Sequence, residues 1–544
     1  MSKQIIFNDA VREKLRAGIS KLTQAVATTL GPSGRVVLCA REYSDPYFTK
    51  DGVTVAKEIE LEDLMENMGA QIVRQATSKT ASSAGDGTTT ATIYVQAIYE
   101  AGLKSIANGA KPKEIKTGIE MATNVVVNEL QKYAKPIVDA EQLIQVGICS
   151  ANQDKEIGTI VAEAIEKVGR DGVVTIEEGR TLETTTEIVD GLQFTRGYLS
   201  ANFATNKDTQ RAEYEKPLIF VTDQKLSGVK TILPLLEKIV KAGLQDRGLI
   251  VIADDVEGEA LGILALNHVR GSFKACAIKA PDFGDRRTAQ LEDIAIVTGA
   301  TLVSSETGLT VDKVDPNKHL GTCERITIDR DTTTIVKGAG KREDVEARIT
   351  LVKNQLENLA NDFDKEKTQE RLAKLVGGVA RITVGGATEA EVREKKDRID
   401  DALHACKAAV AEGILPGGGV SALFAGRALK ALKKGLTEDQ KLGVGIIEKA
   451  LEAPLRWIAR NTGEDDGAIL ARIRSANKPD FGYNAVTGEF GDMVKFGVIV
   501  PAKVERVALQ NAASVASLLL TTDCMIAPTP EPKSQEPNGL AGMM

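Results

Sequence analysis

The sequence predicts a multidomain α+β protein, with mostly helical ends and an α/β module in the middle of the chain. Its 544 residues exceed what one hydrophobic core organises and suggest about three to four domains. Apolar residues recur every three or four positions near both ends, which is typical of amphipathic helices. Between the ends, short β-rich runs bounded by glycine alternate with helical segments, which indicates an α/β arrangement.

The composition restricts the partners and chemistry to consider. With 42% hydrophobic residues, 27% charged residues and a net charge of -7, the chain lacks the basic surface that nucleic acid or an anionic membrane would favour. It starts without an apolar signal segment and has no apolar run of 18 residues, so we expect a cytoplasmic protein. The six cysteines form no C-x-x-C pair and the three histidines no paired-ligand spacing, which argues against disulfide, zinc and His-triad chemistry.

The individual elements follow from residue spacing. A first helix is predicted from Val11 to the Gly31-Pro32 pair, on the apolar series Leu15, Ile19, Leu22, Val26 and Leu30. The middle module begins with a β-rich stretch over 171–222. It continues with predicted helices at 230–243 and 257–270, on either side of a predicted buried strand at 249–253. Further predictions are a helical hairpin over 345–376, a helix at 389–412 and a disordered proline-rich tail from residue 528.

The run Ala84-Gly85-Asp86-Gly87-Thr88-Thr89-Thr90 is the most informative segment. Small residues, a carboxylate and hydroxyls precede a helical apolar pattern, so free N–H groups at the start of a helix would face the loop. Asp86 is a hard oxygen ligand of the kind that Mg²⁺ accepts beside phosphate oxygens. The segment therefore fits a metal-bound polyphosphate, and the alternative is a turn that only caps a helix.

Two common nucleotide motifs are not supported. The chain contains no G-x-x-x-x-G-K-[ST] loop, so a nucleotide site would be assembled in another way. The segment Gly417-Gly418-Gly419-Val420-Ser421-Ala422 fits G-x-G-x-x-A formally. Because a helical segment and no strand is predicted before it, we do not interpret it as a dinucleotide fingerprint.

Several ordered motifs together resemble the group I chaperonins, the GroEL type. They are Thr29 to Arg35 (TLGPSGR), Lys50-Asp51-Gly52, Gly85 to Thr90, Asp401-Ala402-Leu403-His404-Ala405 and Gly417 to Gly419. The similarity covers almost the whole chain, including Asp282 to Arg287 and the terminal Gly542-Met543-Met544.

This resemblance implies a GroEL-like domain order and assembly. An equatorial domain would comprise 1–133 and 412–527, an intermediate domain 134–189 and 378–411, and an apical domain 190–377, followed by the tail 528–544. It also implies a bacterial cytoplasmic homo-oligomer of two seven-membered rings, a lid co-chaperonin, unfolded polypeptides as clients, and ATP, Mg²⁺ and K⁺ as cofactors.

The resemblance also assigns site residues by motif position. The nucleotide would be held by Thr29, Leu30, Gly31, Pro32, Lys50, Asp86, Gly87, Thr88, Thr89, Thr90, Gly418, Asn484, Ala485 and Val486. Asp86 would be the metal ligand. Asp51 would lie beside the phosphates, and Asp401 would orient the attacking water, as suits phosphoryl transfer. Asp400 lies about 100° from Asp401 around a helix, so both cannot face one phosphate. Without the motif, either carboxylate fits a solvated helix surface.

The family's client-binding surface would lie on two apical helices and a nearby loop. It would comprise Tyr198, Phe203, Leu233, Leu236, Leu261, Ala265 and Leu266. An exposed apolar surface binds many unfolded segments by removing hydrocarbon from water. From the residues alone, burial in the core of their own module is the alternative. The family's hinges would fall near Gly191 and Gly377-Gly378, where ordinary turns or helix caps also explain glycine.

The chain departs from the family pattern in three places. Val500 stands where an aspartate that contacts the ribose hydroxyls is usual, Asn202 stands where an aromatic residue is usual, and the tail lacks repeated Gly-Gly-Met units. We interpret the chain as an ATP-driven chaperonin. The alternatives are a diverged paralogue that acts as an oligomeric holding scaffold with weak ATPase cycling, and a non-chaperone NTPase of small oligomeric size.

Val500→Asp should strengthen ATP binding. A charged acceptor for a hydroxyl contributes about 1.5 to 3 kcal/mol, which corresponds to about 10- to 150-fold in affinity. Titration calorimetry on both proteins measures this change, and equal affinities would contradict the interpretation of Val500 as a weakened contact.

Overall fold

The chain divides into two units, one built from both of its ends and one from its middle. The terminal unit comprises residues 1–162 and 386–544, and the middle unit comprises 163–385. The computed structural model describes residues 2–40, 46–169, 172–179, 181–189, 191–206, 209–304, 308–359 and 361–529. The division falls inside both segments of the predicted intermediate domain, whose boundaries remain a prediction.

The helices are α1 (Asp9–Ala27), α2 (Gly52–Glu58), α3 (Leu64–Ala84), α4 (Thr88–Ala107), α5 (Pro112–Tyr133), α6 (Ala140–Ser150), α7 (Lys155–Val168), α8 (Val229–Lys241), α9 (Gly258–Val269), α10 (Gly284–Thr298), α11 (Pro316–His319), α12 (Arg342–Asn358), α13 (Asp362–Gly377), α14 (Glu389–Glu412), α15 (Val420–Ala425), α16 (Leu429–Leu432), α17 (Glu438–Ala450), α18 (Ala453–Thr462), α19 (Asp466–Ala476) and α20 (Ala502–Leu520).

The strands are β1 (Lys3–Phe7), β2 (Val37–Cys39), β3 (Tyr47–Thr49), β4 (Val173–Glu178), β5 (Thr185–Val189), β6 (Gly191–Phe194), β7 (Ala212–Glu215), β8 (Leu218–Val221), β9 (Lys225–Leu226), β10 (Leu249–Ala253), β11 (Asp255–Val256), β12 (Ala275–Lys279), β13 (Cys323–Ile328), β14 (Thr333–Gly338), β15 (Val379–Val384), β16 (Ile414–Pro416), β17 (Phe481–Asn484), β18 (Glu489–Asp492), β19 (Ile499–Pro501) and β20 (Cys524–Pro528).

The core of the terminal unit is a helical bundle. Helix α20 packs against both α4 and α5, α1 and α3 pack on α4, and α17 packs on α4 and α5. The helices α5 and α17 cross so closely that a Cβ on Gly443 would lie 2.4 Å from the Ile115 carbonyl oxygen. Glycine is therefore required at this crossing, because any side chain would force the two backbones apart.

The first helix ends earlier than its apolar spacing predicts. The buried series from Val11 to Val26 lies on α1, but the helix ends at Ala27. The chain then reverses, with the Arg35 N–H donating to the Thr28 carbonyl (2.8 Å) and Gly31 at a φ of +81°. Leu30 continues the spacing by coincidence, because it lies in this turn and outside the helix.

Both chain ends meet in a two-stranded antiparallel sheet. Strand β1 pairs with β20, with Lys3 opposite Pro528 and Phe7 opposite Cys524. The prediction that disorder begins at Pro528 is therefore wrong for Pro528 itself, which ends β20, and the Thr529 N–H donates to the Ser2 carbonyl (3.0 Å). The rest of that predicted tail lies outside the described residues.

The middle unit contains a parallel sheet flanked by helices. Its strand order is β12-β10-β8, and the connections through α8 and α9 make it an α/β arrangement, as predicted. The unit also contains a four-stranded antiparallel sheet, β6-β14-β13-β7, a mixed sheet, β4-β15-β5, and a two-stranded parallel sheet of β9 and β11. None of the helices in the described segments combines the length and hydropathy that crossing a membrane requires.

The predicted helical hairpin, α12 and α13, is joined to α10 by a buried ion cluster. Asp293 on α10 is 2% exposed and accepts hydrogen bonds from Arg348 Nε (2.7 Å) and Arg371 Nη2 (2.8 Å). The Arg348 guanidinium also bonds Glu292. Because both arginines share one buried carboxylate, the position of the hairpin depends on Asp293.

Helix α4 also joins α20 through a buried polar pair. The Tyr94 hydroxyl donates to Glu505 Oε1 (2.7 Å), and neither residue is appreciably exposed. Burial raises the pKa of Glu505, and the hydrogen bond from Tyr94 acts in the opposite direction. Since the folded pKa lies above the unfolded one, this group favours folding at acidic pH and opposes it as pH rises through the folded pKa.

Glu505→Gln should stabilise the protein on the order of 1 kcal/mol at pH 8, with a smaller effect near pH 4. Glutamine keeps the oxygen that accepts from Tyr94 and removes the ionisation. Tyr94→Phe is the opposing control, because it removes the donor and should destabilise by about 1 to 3 kcal/mol. Thermal unfolding at both pH values measures the changes, and a Glu505→Gln effect that does not vary with pH would contradict the assignment.

Candidate functional site

A cavity of about 260 Å³ in the terminal unit brings together distant segments of the chain. All residues predicted to hold a nucleotide line it: Thr29, Leu30, Gly31, Pro32, Lys50, Asp86, Gly87, Thr88, Thr89, Thr90, Gly418, Asn484, Ala485 and Val486. Asp51 and Asp401, predicted to serve catalysis, line the same cavity. The structure therefore places these side chains together, and their actions on a ligand remain predictions.

The start of α4 forms one wall of this cavity. Gly85 and Gly87 have left-handed backbone conformations, with φ of +75° and +80°, and Gly87 begins the helix without a side-chain cap. The N–H groups of the first turn therefore lack the usual side-chain acceptor and can receive an anion. Asp86 between the glycines accepts from the Gly87 N–H and from Ser150 Oγ (2.9 Å).

Asp51 has a structural function besides its position in the cavity. Its carboxylate caps α2, accepting from the N–H groups of Val53 (3.0 Å) and Thr54 (2.9 Å) and from the Thr54 hydroxyl (2.6 Å). This cap fixes the orientation of the carboxylate. The next residue, Gly52, lies against the start of α4, since a Cβ there would be 2.2 Å from Thr89 Oγ1.

Carboxylates accumulate in the cavity without an equal number of cations. Burial raises the pKa of Asp401 well above its usual value, and the charges of Asp86 and Asp51 raise it further. Burial also raises the pKa of Asp86, with an additional contribution from Asp51. One turn before Asp401, burial and the charges of Asp51 and Asp400 raise the pKa of Asp397 to about 6. A bound cation would relieve this repulsion.

The donor set fits Mg²⁺ held together with phosphate. Among the described residues, no three His, Cys, Asp or Glu side chains are arranged to hold a metal ion by themselves. Mg²⁺ commonly takes one or two carboxylates and completes its shell with phosphate oxygens and water. Asp86 can supply that carboxylate, and Lys50, which also lines the cavity, can balance phosphate charge.

The turn after α1 is held in place by α18. Asn461 Nδ2 donates to the carbonyls of Ala27 (3.0 Å) and Leu30 (2.9 Å), which fixes the segment from Thr29 to Pro32 at the cavity. The sequence did not indicate this residue. A single asparagine in a helix carries no local signal of a contact with a turn more than 400 positions away.

The end of α6 is a further wall that the sequence analysis missed. It contributes Val146, Cys149, Ser150, Asn152 and Gln153 to the cavity. The Cys149 thiol donates to the Gly497 carbonyl (3.1 Å), so this helix packs on the segment before β19. The only local signal was a polar run after an apolar helix, which is common at helix ends.

Strands β19 and β17 complete the cavity. Val500, the residue singled out from the sequence, lines it and pairs with Leu415 of β16. Asn484 is 7% exposed, and its Oδ1 accepts from the Val486 N–H (2.9 Å), which fixes this loop at the wall. The strand β16 directly precedes Gly417. The expectation of a helical segment there is therefore wrong, although β16 is antiparallel to β19 and forms no βαβ unit.

The residues predicted to bind clients lie in the middle unit and differ in exposure. Leu233 on α8 and Leu266 on α9 are exposed, and these two helices contact each other. Partly buried positions beside the core are Tyr198, Leu236, Leu261 and Ala265. Phe203 is fully buried, and its ring packs edge-on against His268 with the ring centres 5.9 Å apart. Phe203 therefore does not belong to the exposed surface.

Two exposed residues extend this surface beyond the prediction. Val240 on α8 and Val269 on α9 are 55% and 64% exposed. The helical spacing of Val240 and Val269 is compatible with either burial in the core or exposure to solvent. Only the exposed fraction of each side chain distinguishes these two possibilities. Of the seven predicted residues only Leu233 and Leu266 are exposed, and the use of this area by clients remains a prediction.

The predicted hinge glycines have ordinary packing and capping functions. A Cβ on Gly191 would lie 2.5 Å from the Ile335 carbonyl oxygen. Gly378 has a φ of +60° directly after α13, as expected of a glycine that ends a helix. Their function as hinges remains a prediction.

Comparisons with known proteins agree with this architecture. The model of the TCP-1/cpn60 chaperonin family matches residues 22–530. Two crystal structures of the chaperonin gp146 from the bacteriophage EL 2 (Pseudomonas aeruginosa), both in the presence of ATP-BeFx, have a similar fold. Form II gives a TM-score of 0.70 and form I gives 0.64. Each is 23% identical in sequence to this chain, and each match covers 97% of this chain and 99% of the gp146 chain.

Gly52→Ala should weaken the binding of a magnesium-bound triphosphate by about tenfold or more. The new Cβ would displace the Thr89 hydroxyl, and a hydrogen bond to a charged group contributes about 1.5 to 3 kcal/mol. The matched control is Gly445→Ala, a helical glycine with no atom within 4 Å of the added Cβ. Titration calorimetry compares the affinities. Equal affinity in the two variants would show that Thr89 does not contact the ligand.

Proposed function

Because this chain belongs to the TCP-1/cpn60 chaperonin family, we propose that it is an ATP-driven chaperonin which binds non-native polypeptides and promotes their folding in a ring cavity closed by a lid co-chaperonin. Membership of the family makes it a chaperonin. The observation that supports the ATP-driven cycle is the single cavity in which the start of α4, the turn after α1 and Asp401 of α14 meet.

The cavity supports a specific mode of nucleotide binding. The triphosphate lies at the start of α4, where the N–H groups and hydroxyls of Thr88, Thr89 and Thr90 donate to its oxygens. Asp86 binds Mg²⁺, and Lys50 balances the phosphate charge. Asn484, Ala485 and Val486 face the base, and the turn from Thr29 to Pro32 covers the nucleotide. Gly418 permits close approach, because it has a φ of +68° and no side chain. K⁺ remains an expected second cation.

Hydrolysis requires a group that positions water against the terminal phosphate. Asp401 fits this function, because it lines the cavity from α14 and lies near Asp86 and Asp51. Burial and the neighbouring carboxylates raise the pKa of Asp401, so its carboxylate form is a stronger base that can accept a proton from the attacking water. Asp51 keeps its carboxylate oriented beside the phosphates through its cap on α2.

The apolar surface on α8 and α9 is suited to clients. Exposed Leu233, Val240, Leu266 and Val269 and their partly buried neighbours present hydrocarbon that an unfolded segment can cover. Burial of apolar area contributes about 25 cal/mol per Å² whatever the client sequence, which suits a promiscuous partner. In the proposed cycle, nucleotide changes whether this surface binds clients or the lid.

Assembly with other copies of this chain is supported by two exposed ribbons of the terminal unit, and the two seven-membered rings are what the resemblance to the family implies. Within the described residues, β1 and β20 form one two-stranded sheet and β2 and β3 another. Ile5, Phe7, Leu38, Phe48 and Ile526 are at least half exposed on these ribbons. Isolated ribbons are only marginally stable, and pairing of different surfaces between copies generates closed rings.

A holding scaffold with weak ATPase cycling is the second candidate. The observation that favours it is Val500, which places an isopropyl group and no carboxylate in the cavity wall. Such a protein would form rings and bind clients while hydrolysing ATP at a negligible rate.

Asp401→Ala should reduce steady-state ATP hydrolysis by about 10²- to 10⁴-fold, because a positioned acid or base contributes about that factor. Nucleotide binding should persist. The matched control is Asp400→Ala, which removes the adjacent carboxylate on the same helix and should keep most of the rate. Phosphate release with Mg²⁺ and K⁺ measures the activity.

Native mass measurement on the unaltered protein completes this test. Rings with ATP hydrolysis that depends on Asp401 support the chaperonin cycle, and rings without hydrolysis support the scaffold. Hydrolysis that survives Asp401→Ala would remove the catalytic assignment, and a monomer or small oligomer would contradict the proposed assembly into rings.

A further inference from the structure

The segment after α6 carries an unusual backbone at the edge of the cavity. Asn152 and Gln153 are consecutive non-glycine residues with positive φ, at +56° and +70°. Asparagine tolerates this conformation, whereas a longer side chain such as glutamine rarely adopts it. The Gln153 N–H is fixed by the Ile148 carbonyl (2.8 Å), so the strained turn is held in place by α6. Strain of this kind concentrates at functional positions.

The Gln153 side chain lies on the cavity wall formed by α6 and β19. Gln153, Cys149 and Ile499 all line the cavity, and α6 packs on β19. Burial raises the pKa of the Cys149 thiol, and the Ile499 backbone and the Gln153 side chain act on it in the opposite direction. These two groups therefore lie at the same thiol. Gln153 is also exposed, so its amide is accessible to a ligand.

The surroundings of Gln153 differ from the phosphate end of the cavity. Val498 directly before β19 and Ile499 and Val500 on it line the same cavity and offer no polar side chain. The carboxylates that line the cavity within the described residues are Asp51, Asp86 and Asp401, all at the end where α4 begins. A neutral amide beside apolar side chains suits a neutral ligand group that carries hydroxyls, because it can both donate to and accept from them.

We propose that Gln153 is a specificity-determining residue that hydrogen-bonds the ribose hydroxyls of the bound nucleotide. This inference rests on the proposed nucleotide site and adds the group that reads the sugar. In a nucleotide, the ribose lies between the phosphates and the base. The end of α6 occupies the matching middle region of the cavity. On the phosphate side, Ser150 donates a hydrogen bond to Asp86, and on the other side Gln153 lies against Cys149 and Ile499.

The test compares the binding of ADP with that of 2′-deoxy-ADP and 3′-deoxy-ADP, in the presence of Mg²⁺, by titration calorimetry. Diphosphates avoid hydrolysis during the titration. The unaltered protein should bind ADP about three- to tenfold more tightly than at least one deoxy nucleotide, as one neutral hydrogen bond predicts. Gln153→Ala should remove this preference by weakening ADP and leaving that deoxy nucleotide unchanged.

Two further variants test whether the side-chain amide of Gln153, and not the local backbone or packing, causes the preference for ADP. Gln153→Glu retains a hydroxyl acceptor at the same reach and should retain the preference for ADP. Gln145→Ala removes the same type of side chain from α6 itself, beside Gly497 and outside the cavity lining, and should leave the preference unchanged. Circular dichroism melting checks that each variant folds.

The outcomes distinguish this inference from the function on which it rests. If the unaltered protein binds none of the three nucleotides, both proposals fail. If it binds all three equally, or if Gln153→Ala keeps the preference for ADP, the assignment of Gln153 is overturned while the nucleotide site stands.

Discussion

The packing of α4 against α20 is the constraint on which the terminal unit depends. It brings the start of α4 to the cavity and leaves no room for a side chain at Gly87, where a Cβ would lie 2.7 Å from Val504 Cγ1. Two turns further along, the buried bond between Tyr94 and Glu505 fixes the same two helices. Because α4 and α20 come from opposite ends of the chain, the cavity exists only when both ends have folded together.

The same arrangement concentrates negative charge. Folding brings Asp51, Asp86 and Asp401 into one cavity, where burial and the neighbouring carboxylates raise the pKa of Asp86 and of Asp401. A ligand that brings a cation into this cavity is stabilised by its direct contacts and also by the reduced repulsion between the carboxylates of the folded protein. Binding of metal-bound phosphate and stability of the folded state are therefore linked.

Much of the fold was accessible from the sequence, because most elements have a strong periodic pattern. The buried strand at 249–253, the helical hairpin and the start of α4 were identified from spacing and glycine placement alone. Errors arose where spacing continued by coincidence, as at Leu30, or where an element was too short to detect, as at β16. The exposure of Val269 and the burial of Phe203 depend on which face of a helix meets the core, which one-dimensional spacing does not determine.

The site was predicted from motifs, and its supporting residues were not. Asn461 and Gln153 act at positions far in sequence from the segments that they support, so no local pattern identifies them. The capping function of Asp51 is a local signal that the sequence analysis did not use, since an aspartate directly before a short helix is a common start.

The pairing of β1 with β20 has a consequence for how the protein is made. The middle unit is continuous in sequence, so it can fold while the ribosome is still adding the remaining residues. The terminal unit cannot complete its folding until α20 and β20 have emerged from the ribosome. Its first helices are by then already outside the ribosome. During that interval the newborn chain exposes the apolar faces of α4 and α5, and exposed hydrophobic surface of this kind makes a folding intermediate prone to aggregation.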